Sequence, residues 1–176
     1  MGQYWPTRGK EVTKLIILGD SHDSLWPDFL EHLRSIPCDR ILHLGDVCQR
    51  EILRKFEQIA PVTAVRGNND RTMEDLPPQR FFHLEGLGFY MIHDQRKAGR
   101  VKWDYDIFLS GHTHRYREMV TEEGKLYLNP GSCGRRRADD TVSYVEMAVD
   151  RGRWSLLHRT FCPAFTYSRD LRPVKD

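Results

Sequence analysis

The fold of this chain is decided by Leu15-Ile16-Ile17-Leu18-Gly19-Asp20-Ser21-His22, where an apolar run ends and polar residues begin. The apolar run predicts a short buried strand, and the glycine that follows permits a tight turn out of it. Aspartate and histidine then stand at the strand's carboxyl end. In open α/β sheets that edge is where the loops converge and ligands bind.

Two strand and helix units lie next to each other in this half of the chain. Apolar residues recur at helical spacing from Leu25 to Leu33, and Pro27 is compatible with a first helical turn. A second strand at 41–44, a second helical face from Ile52 to Ile59 and a third strand at 62–65 follow. This alternation predicts a parallel sheet with right-handed crossovers.

The second half has the pattern of antiparallel hairpins. Paired apolar segments flank turns of Gly, Glu and Asp at three places, namely 81–84 with 89–92 around 86–88, 115–120 with 125–128 around 122–124, and 142–149 with 154–161 around 150–152. Together with a strand at 107–110, they predict a mixed set of strands in two packed sheets.

Length and composition favour one domain over residues 1–176, with ends at 1–13 and 163–176 that we expect to be mobile. The net charge of +2 gives no sign of a stable nucleic-acid complex. The apolar runs are too short for a membrane span and no signal peptide is visible, so we expect a cytoplasmic protein. Four cysteines without a C-x-x-C pair indicate reduced thiols.

Unusual polar residues follow the predicted strands, each cluster at a carboxyl end. They comprise two carboxylates, four imidazoles and one carboxamide: Asp20, His22, Asp46, Asn68, His93, His112 and His114. A capping role for Asp20 or Asp46 would explain one residue at a time, but not the joint pattern. We expect the seven side chains to face one another.

This mixed nitrogen and oxygen set suits Mn²⁺, Fe or Zn²⁺, and it contains too much imidazole for a Ca²⁺ or Mg²⁺ cage. The set is larger than one ion needs, so two ions are expected. A carboxylate between them can bridge both. A water bridging the same two ions loses its proton near neutral pH and becomes a nucleophile.

The motifs resemble those of the calcineurin-like metallophosphoesterases. They are Gly19-Asp20-Ser21-His22, Gly45-Asp46, Gly67-Asn68, His93 and Gly111-His112-Thr113-His114. The short chain and Asn129-Pro130-Gly131-Ser132 resemble the small prokaryotic phosphodiesterase branch of that family. The resemblance extends from Leu15 to Arg137 and includes every ligand position in order.

The resemblance implies a four-layer αββα sandwich, an α/β (α+β) fold of two mixed sheets flanked by helices. It assigns the first metal to Asp20, His22 and His114, the second to Asn68, His93 and His112, and the bridge to Asp46. Mn²⁺ is the expected ion, with Ni²⁺, Fe²⁺, Zn²⁺ and Mg²⁺ as alternatives. Asp46, Asn68 and His112 are then also the expected catalytic residues.

The sequence departs from the family pattern in two places. Asn69 stands where many members carry the histidine that acts as general acid, and Asp94-Gln95 replaces the Gly-His that often follows the fourth cluster. Asp70 and Asp94 are nearby carboxylates that could supply a proton or bond a ligand. Asn69 and Arg135 are candidates for substrate contacts.

The predicted function is hydrolysis of a small-molecule phosphodiester by a hydroxide that bridges two divalent metals. A phosphomonoesterase, including a protein phosphatase, is the alternative, although Val47-Cys48-Gln49 lacks the Asp-Arg-Gly continuation of the Ser/Thr phosphatases. A scaffold similar to the retromer subunits is a third hypothesis, and His22 counts against it because those relatives lack that histidine. The sequence leaves open whether the chain forms a homo-oligomer.

The remaining histidines are interpreted as surface or core residues rather than ligands. They are His32, His43, His83 and His158.

Overall fold

The computed structural model describes residues 12–134 and 141–162. In chain order its elements are β1 (Thr13–Leu18), α1 (Pro27–Arg34), β2 (Arg40–His43), α2 (Arg50–Glu57), β3 (Val62–Ala64), β4 (Gln79–Leu84), β5 (Leu87–Ile92), β6 (Ile107–Ser110), β7 (Tyr116–Val120), β8 (Leu126–Pro130), β9 (Val142–Asp150) and β10 (Arg153–Phe161). Thr13 is already part of β1. The rest of the two ends predicted to be mobile, 1–11 and 163–176, lies outside the described residues.

The strands form two mixed sheets. The first sheet has the order β10-β9-β1-β2-β3, in which β1, β2 and β3 are parallel and β9 and β10 are antiparallel to their neighbours. The second sheet has the order β4-β5-β6-β8-β7, with β5, β6 and β8 parallel and the two outer strands antiparallel. The predicted α/β fold of two mixed sheets is confirmed.

Strand β1 lies between two apolar layers, which explains its uninterrupted apolar run. Ile16 and Leu18 belong to the core that α1 and α2 form with the first sheet, where Phe29 and Phe56 are fully buried. Leu15 and Ile17 point the other way, into the core between the two sheets. Successive side chains of a strand alternate between faces, so each of these residues must be apolar.

The outer face of the second sheet has a thinner cover than the first. Tyr90 and Phe108 are buried there against Val101, Tyr105 and Tyr127. The segment after β5 supplies this cover, and it contains one turn of 3₁₀ helix at Gln95–Lys97 in place of an α-helix. The segment also brings Asp94 and its neighbours to the carboxyl edge of the sheet.

The three predicted hairpins are present as the antiparallel pairs β4 with β5, β7 with β8 and β9 with β10. The prediction of the first turn at 86–88 is wrong, because the turn in the structure begins one residue earlier and is one residue shorter. The turn is Glu85-Gly86, whose φ values are 50° and 80°, as a two-residue type I′ turn requires. Leu87 and Gly88 already pair with Leu84 and His83 in the ladder.

In the described residues, no helix is both long and apolar enough to cross a membrane.

The inter-sheet core predicts a large cost for truncating Ile17, which is fully buried in it. Ile17→Ala should lower the free energy of unfolding by about 2–5 kcal/mol, since it removes apolar contacts and leaves a cavity. Urea denaturation of the metal-free protein would measure this loss. Val120→Ala is the matched control, because Val120 is 50% exposed, and a change there as large as at Ile17 would contradict this description of the core.

Candidate metal centre

The carboxyl ends of β1, β2, β3, β5 and β6 meet at one edge, and the seven predicted ligands lie together there. An unbroken series of contacts joins them: His22 Nε2 to His114 Nε2 at 3.2 Å, His114 Nε2 to Asp20 Oδ1 at 3.3 Å, Asp20 Oδ2 to the His112 amide at 2.9 Å, His112 Nδ1 to Asn68 Oδ1 at 3.0 Å, Asn68 Oδ1 to His93 Nε2 at 3.0 Å, and His93 Nε2 to Asp46 Oδ2 at 3.5 Å.

The site has a buried floor and an open rim. Asp20, Asp46 and His93 are buried. His112 and His114 are partly exposed, as are His22 and Asn68 to different degrees. A small ligand can therefore approach the imidazoles from solvent while the carboxylates stay shielded, and this shielding strengthens their interaction with a cation.

Two groups of donors fit a metal ion. The ligand atoms of Asp20, His22 and His114 all lie within 4.8 Å of one another, and so do those of Asp20, Asp46 and His93. Asp20 Oδ1 is buried and accepts no hydrogen bond, although it faces the His114 ring nitrogen. An unsatisfied buried carboxylate oxygen is costly, and a bound cation would satisfy it. The chemistry of the donors therefore fits divalent metal binding.

Asn68 Oδ1 is the centre of the second half of the site. His93 Nε2 and His112 Nδ1 each approach it to 3.0 Å. The other ring nitrogen of His93, Nδ1, is 2.8 Å from the Leu44 carbonyl. That carbonyl accepts only if Nδ1 carries the proton, so the lone pair of Nε2 and Asn68 Oδ1 then face each other as two acceptors, which a cation between them would satisfy.

Asn69 contacts the floor of the site. Its backbone amide donates to Asp46 Oδ1 at 2.8 Å, and its side-chain Nδ2 donates to Asp46 Oδ2 at 2.7 Å. Both oxygens of Asp46 are thus oriented by the residue that was predicted to contact substrate. Arg135, the other predicted substrate contact, lies outside the described residues.

Asp70 is fully engaged by the backbone. Its carboxylate accepts the amide protons of Asp46 at 2.9 Å, Cys48 at 2.7 Å and Gly67 at 2.7 Å, and the residue is 1% exposed. Sequence reasoning made Asp70 a candidate proton donor. Its three accepted hydrogen bonds instead tie the loop after β3 to the loop after β2.

Gly67 is needed for the same close approach of two loops. A Cβ at Gly67 would stand 2.2 Å from the Asp46 nitrogen and from Asp46 Oδ1. No side chain fits in that space without moving Asp46. The Gly-Asn motif therefore serves packing as well as coordination.

Most of the described non-glycine residues with a left-handed backbone belong to this site. Five predicted ligands have φ values between 51° and 71°, namely Asp20, His22, Asp46, His112 and His114. Such conformations cost free energy in residues with a Cβ and are typical of functional sites. No local sequence pattern indicates these conformations directly.

Arg96 and Asp94 border the rim next to His112. Arg96 Nη2 lies 2.8 Å from His112 Nε2, and its guanidinium bonds both carboxylate oxygens of Asp94. These hydrogen bonds lower the pKa of Asp94 to about 2. Asp94 is thus ionised at neutral pH, and its proposed use as a proton donor has no support from this geometry.

His43 supports the loop of the first motif from below. The Gly45 amide donates to His43 Nδ1 at 3.2 Å, so Nε2 carries the proton and donates to Ser21 Oγ at 2.9 Å. Burial lowers the pKa of His43 to about 4. His43 is therefore a neutral, satisfied core histidine, as interpreted from sequence. Its link to Ser21, between two predicted ligands, was not foreseen.

Comparison with known proteins agrees with this geometry. The family model of the calcineurin-like phosphoesterase superfamily domain matches residues 13–152. The chain belongs to that superfamily. The match includes all seven predicted ligands, and it confirms the resemblance drawn from their motifs.

Two curated relatives, each named a probable metallophosphoesterase, align with a shorter part of the chain. A probable metallophosphoesterase of Methanothermobacter thermautotrophicus is 36% identical over 104 residues, which cover 52% of this chain and 59% of that protein. A second, from Methanocaldococcus jannaschii, is 32% identical over 105 residues, 53% of each protein. The chain thus spans about half the length of the curated relatives it matches.

Among solved structures, Vps29 of Entamoeba histolytica in complex with Zn²⁺ has a similar fold. Its TM-score is 0.68 at 19% identity, and the alignment covers 85% of this chain and 98% of Vps29. At this identity the likeness shows the fold alone.

The buried His43 predicts a pH-dependent stability. Its folded pKa of about 4 lies below the ordinary 6.5, so stability present above pH 6.5 is lost as the pH falls towards 4. Proton linkage sets the loss between pH 7 and pH 5 at about 2 kcal/mol. Urea unfolding of the metal-free protein at several pH values would measure it.

The slope of the free energy of unfolding against pH tests whether His43 causes this loss of stability. His43→Asn should unfold with a weaker pH dependence, whatever its absolute stability, while His83→Asn, at an exposed position, should keep the wild-type slope. An unchanged slope in His43→Asn would show that other groups cause the pH dependence.

Proposed function

We propose that this protein is a binuclear metal-dependent phosphodiesterase that acts on a small-molecule phosphodiester, with Mn²⁺ as the preferred ion. The observation that carries the proposal is the continuous contact of seven ligand side chains around an unsatisfied Asp20 oxygen. Two divalent ions held there would activate water and neutralise charge on the phosphoryl group. The thiols of Cys38, Cys48 and Cys133 form no disulfide, which supports a cytoplasmic location.

The ligand assignment follows from the two halves of the site. Asp20, His22 and His114 would hold one ion, since their donor atoms converge. Asn68, His93 and His112 would hold the other, because both imidazole nitrogens meet at the Asn68 oxygen.

Asp46 is assigned as the bridge between the two halves. Its Oδ2 lies 3.5 Å from His93 Nε2. Asp46, Asp20 and His93 together form one of the two groups of donor atoms that fit a metal ion. Its role in catalysis is to position both ions. The three backbone hydrogen bonds to Asp70 and the two from Asn69 would fix that bridge.

Charge near the rim favours a diester over a monoester. In the described part of the chain, the cationic side chain that contacts a predicted ligand is Arg96, which lies against His112. Its guanidinium is also hydrogen-bonded to the Asp94 carboxylate. A phosphodiester carries one negative charge, and a monoester carries up to two at neutral pH. Within the described residues, a rim with one arginine that is already paired to Asp94 matches the smaller charge better.

Proton delivery to the leaving group is the step that this site supports least. Asn69 has no acidic proton, Asp70 is engaged by three amides, and Asp94 is ion-paired. Leaving groups that depart as stable anions do not need a proton. We therefore propose that substrates with acidic leaving groups, such as aryl esters, are preferred.

Metal removal and restoration test the proposed reaction. Chelation should abolish hydrolysis, and Mn²⁺ should restore it with a higher kcat/KM on an aryl phosphodiester than on the matching aryl monoester. His22→Asn removes one imidazole ligand and should lower metal affinity by about 10- to 100-fold or more. Calorimetric metal titration and a chromogenic assay measure these effects.

Two results would contradict the proposal. A higher kcat/KM on the monoester would make the protein a phosphomonoesterase. Metal binding without hydrolysis of any phosphoester would favour a scaffold, the third hypothesis drawn from the sequence.

The presence of Asn69, which has no acidic proton, predicts that the rate of diester hydrolysis depends on the leaving group. Asn69→His places a titratable imidazole where a proton donor is lacking, so it should raise alkyl diester cleavage by about 10- to 100-fold. Aryl diester cleavage should change little. Rates for a series of leaving groups would measure this as a flatter dependence on leaving-group acidity.

Asn69→Gln is the matched control, because it changes the shape of the side chain without adding an acid. If Asn69→Gln accelerated alkyl cleavage equally, or if Asn69→His slowed both substrates in parallel, proton delivery would not be what this site lacks.

A further inference from the structure

Arg96 lies at the open rim beside the ligand set, in a segment to which neither the motifs nor the comparisons give a role. Its side chain is 72% exposed. It lines a cleft of about 260 Å³ together with Asp94, His112 and Thr113. A group bound in this cleft would contact both the guanidinium and a predicted metal ligand.

The guanidinium is held in place although it is exposed. Nε donates to Asp94 Oδ1 at 3.0 Å, and Nη2 donates to Asp94 Oδ2 at 2.9 Å. The Asp94 side chain is 8% exposed and also accepts the Arg96 backbone amide at 3.1 Å. A planar cation fixed by two hydrogen bonds to a buried carboxylate loses little side-chain entropy when it binds a ligand.

Part of the donor capacity of Arg96 remains for a ligand. A guanidinium carries five N–H groups. Asp94 takes one from Nε and one from Nη2, and His112 Nε2 accepts the other Nη2 proton at 2.8 Å. Within residues 12–134 and 141–162, no hydrogen bond from Nη1 is present. Paired N–H groups at such an edge match two oxygens of a phosphoryl group.

The contact between Arg96 and His112 is incompatible with metal binding at His112. Nδ1 of His112 is directed at Asn68 Oδ1, in the half of the site assigned to the second ion. An imidazole that ligates a metal through Nδ1 keeps its proton on Nε2. Arginine has no acceptor, so two donors would then face each other and the contact must break.

Metal binding therefore frees the second N–H of Nη2. Asp94 Oδ2 is 3.8 Å from His112 Nε2, so a shift of about 1 Å would let it accept a hydrogen bond from the imidazole N–H instead. Arg96 would stay attached to Asp94 and present Nη1 and Nη2 to the cleft. The same event that completes the metal site would prepare the rim for an anion.

We propose that Arg96 binds the phosphoryl oxygens of the substrate, and that Asp94 positions it for this contact. The inference rests on the proposed phosphoesterase function and adds a specificity-determining residue to it. The ligand class is a phosphate ester anion bound between the arginine and the metal-ligand side of the cleft.

The test compares Arg96→Gln, Arg96→Lys and Arg100→Gln with the wild-type protein loaded with Mn²⁺. Arg100 is another exposed arginine of the same segment and serves as the charge-matched control. Arg96→Gln should weaken binding of inorganic phosphate, measured by calorimetry, and should raise KM for an aryl diester, each by about 10- to 100-fold. Its affinity for Mn²⁺ should not fall, because the variant also lacks the contact to His112 that metal binding has to break.

Arg96→Lys keeps the charge but loses the paired geometry, so it should recover only part of the phosphate affinity. Arg100→Gln should behave as wild type. Wild-type phosphate affinity and KM in Arg96→Gln would overturn this inference and leave the proposed function intact. Loss of Mn²⁺ affinity in Arg96→Gln would also overturn it, because Arg96 would then support the metal site. A wild-type protein that binds no metal would instead refute the proposed function.

Discussion

The left-handed backbone at the ends of the strands is the constraint on which the site depends. Each such residue with a Cβ costs about 1–3 kcal/mol and persists only where its surroundings leave no alternative. Here the loops fix each other: the Asp20 amide donates to the Gly45 carbonyl at 3.0 Å, and the His22 amide donates to the Asp46 carbonyl at 2.8 Å. Side chains that a regular strand would send to opposite faces therefore converge on one crevice.

The same arrangement creates an electrostatic problem that a cation solves. Asp20 and Asp46 are both buried and share one group of potential ligand atoms with His93. Two carboxylates that are buried close together repel each other. A divalent ion would replace the repulsion with attraction at both oxygens. Metal binding and the stability of the strained loops are thus coupled, since each favours the same conformation.

The strands, the two sheets and the position of the predicted ligands could be predicted from the sequence. They follow from apolar periodicity and from motifs at strand ends. The sequence was insufficient where hydrogen bonds join distant residues. Asp70 reaches back 24 residues to the Asp46 amide, and His43 bonds Ser21 across 22 residues. Neither link has a local signal. The turn at Glu85-Gly86 was misplaced because a nearby second glycine offered an equally good local pattern.

The two departures from the family pattern concern the same half of the site. Asn69 follows the predicted ligand Asn68, and the segment Asp94 to Arg96 follows the predicted ligand His93. The other half keeps the motif residues and the loops that support them. Holding two metal ions would require the geometry of both halves, whereas substrate contact and proton transfer would depend on what surrounds the rim. We therefore expect the chemistry that distinguishes this protein to be determined on the side of Asn69 and Arg96, where an amide that orients Asp46 and a fixed cation border the site.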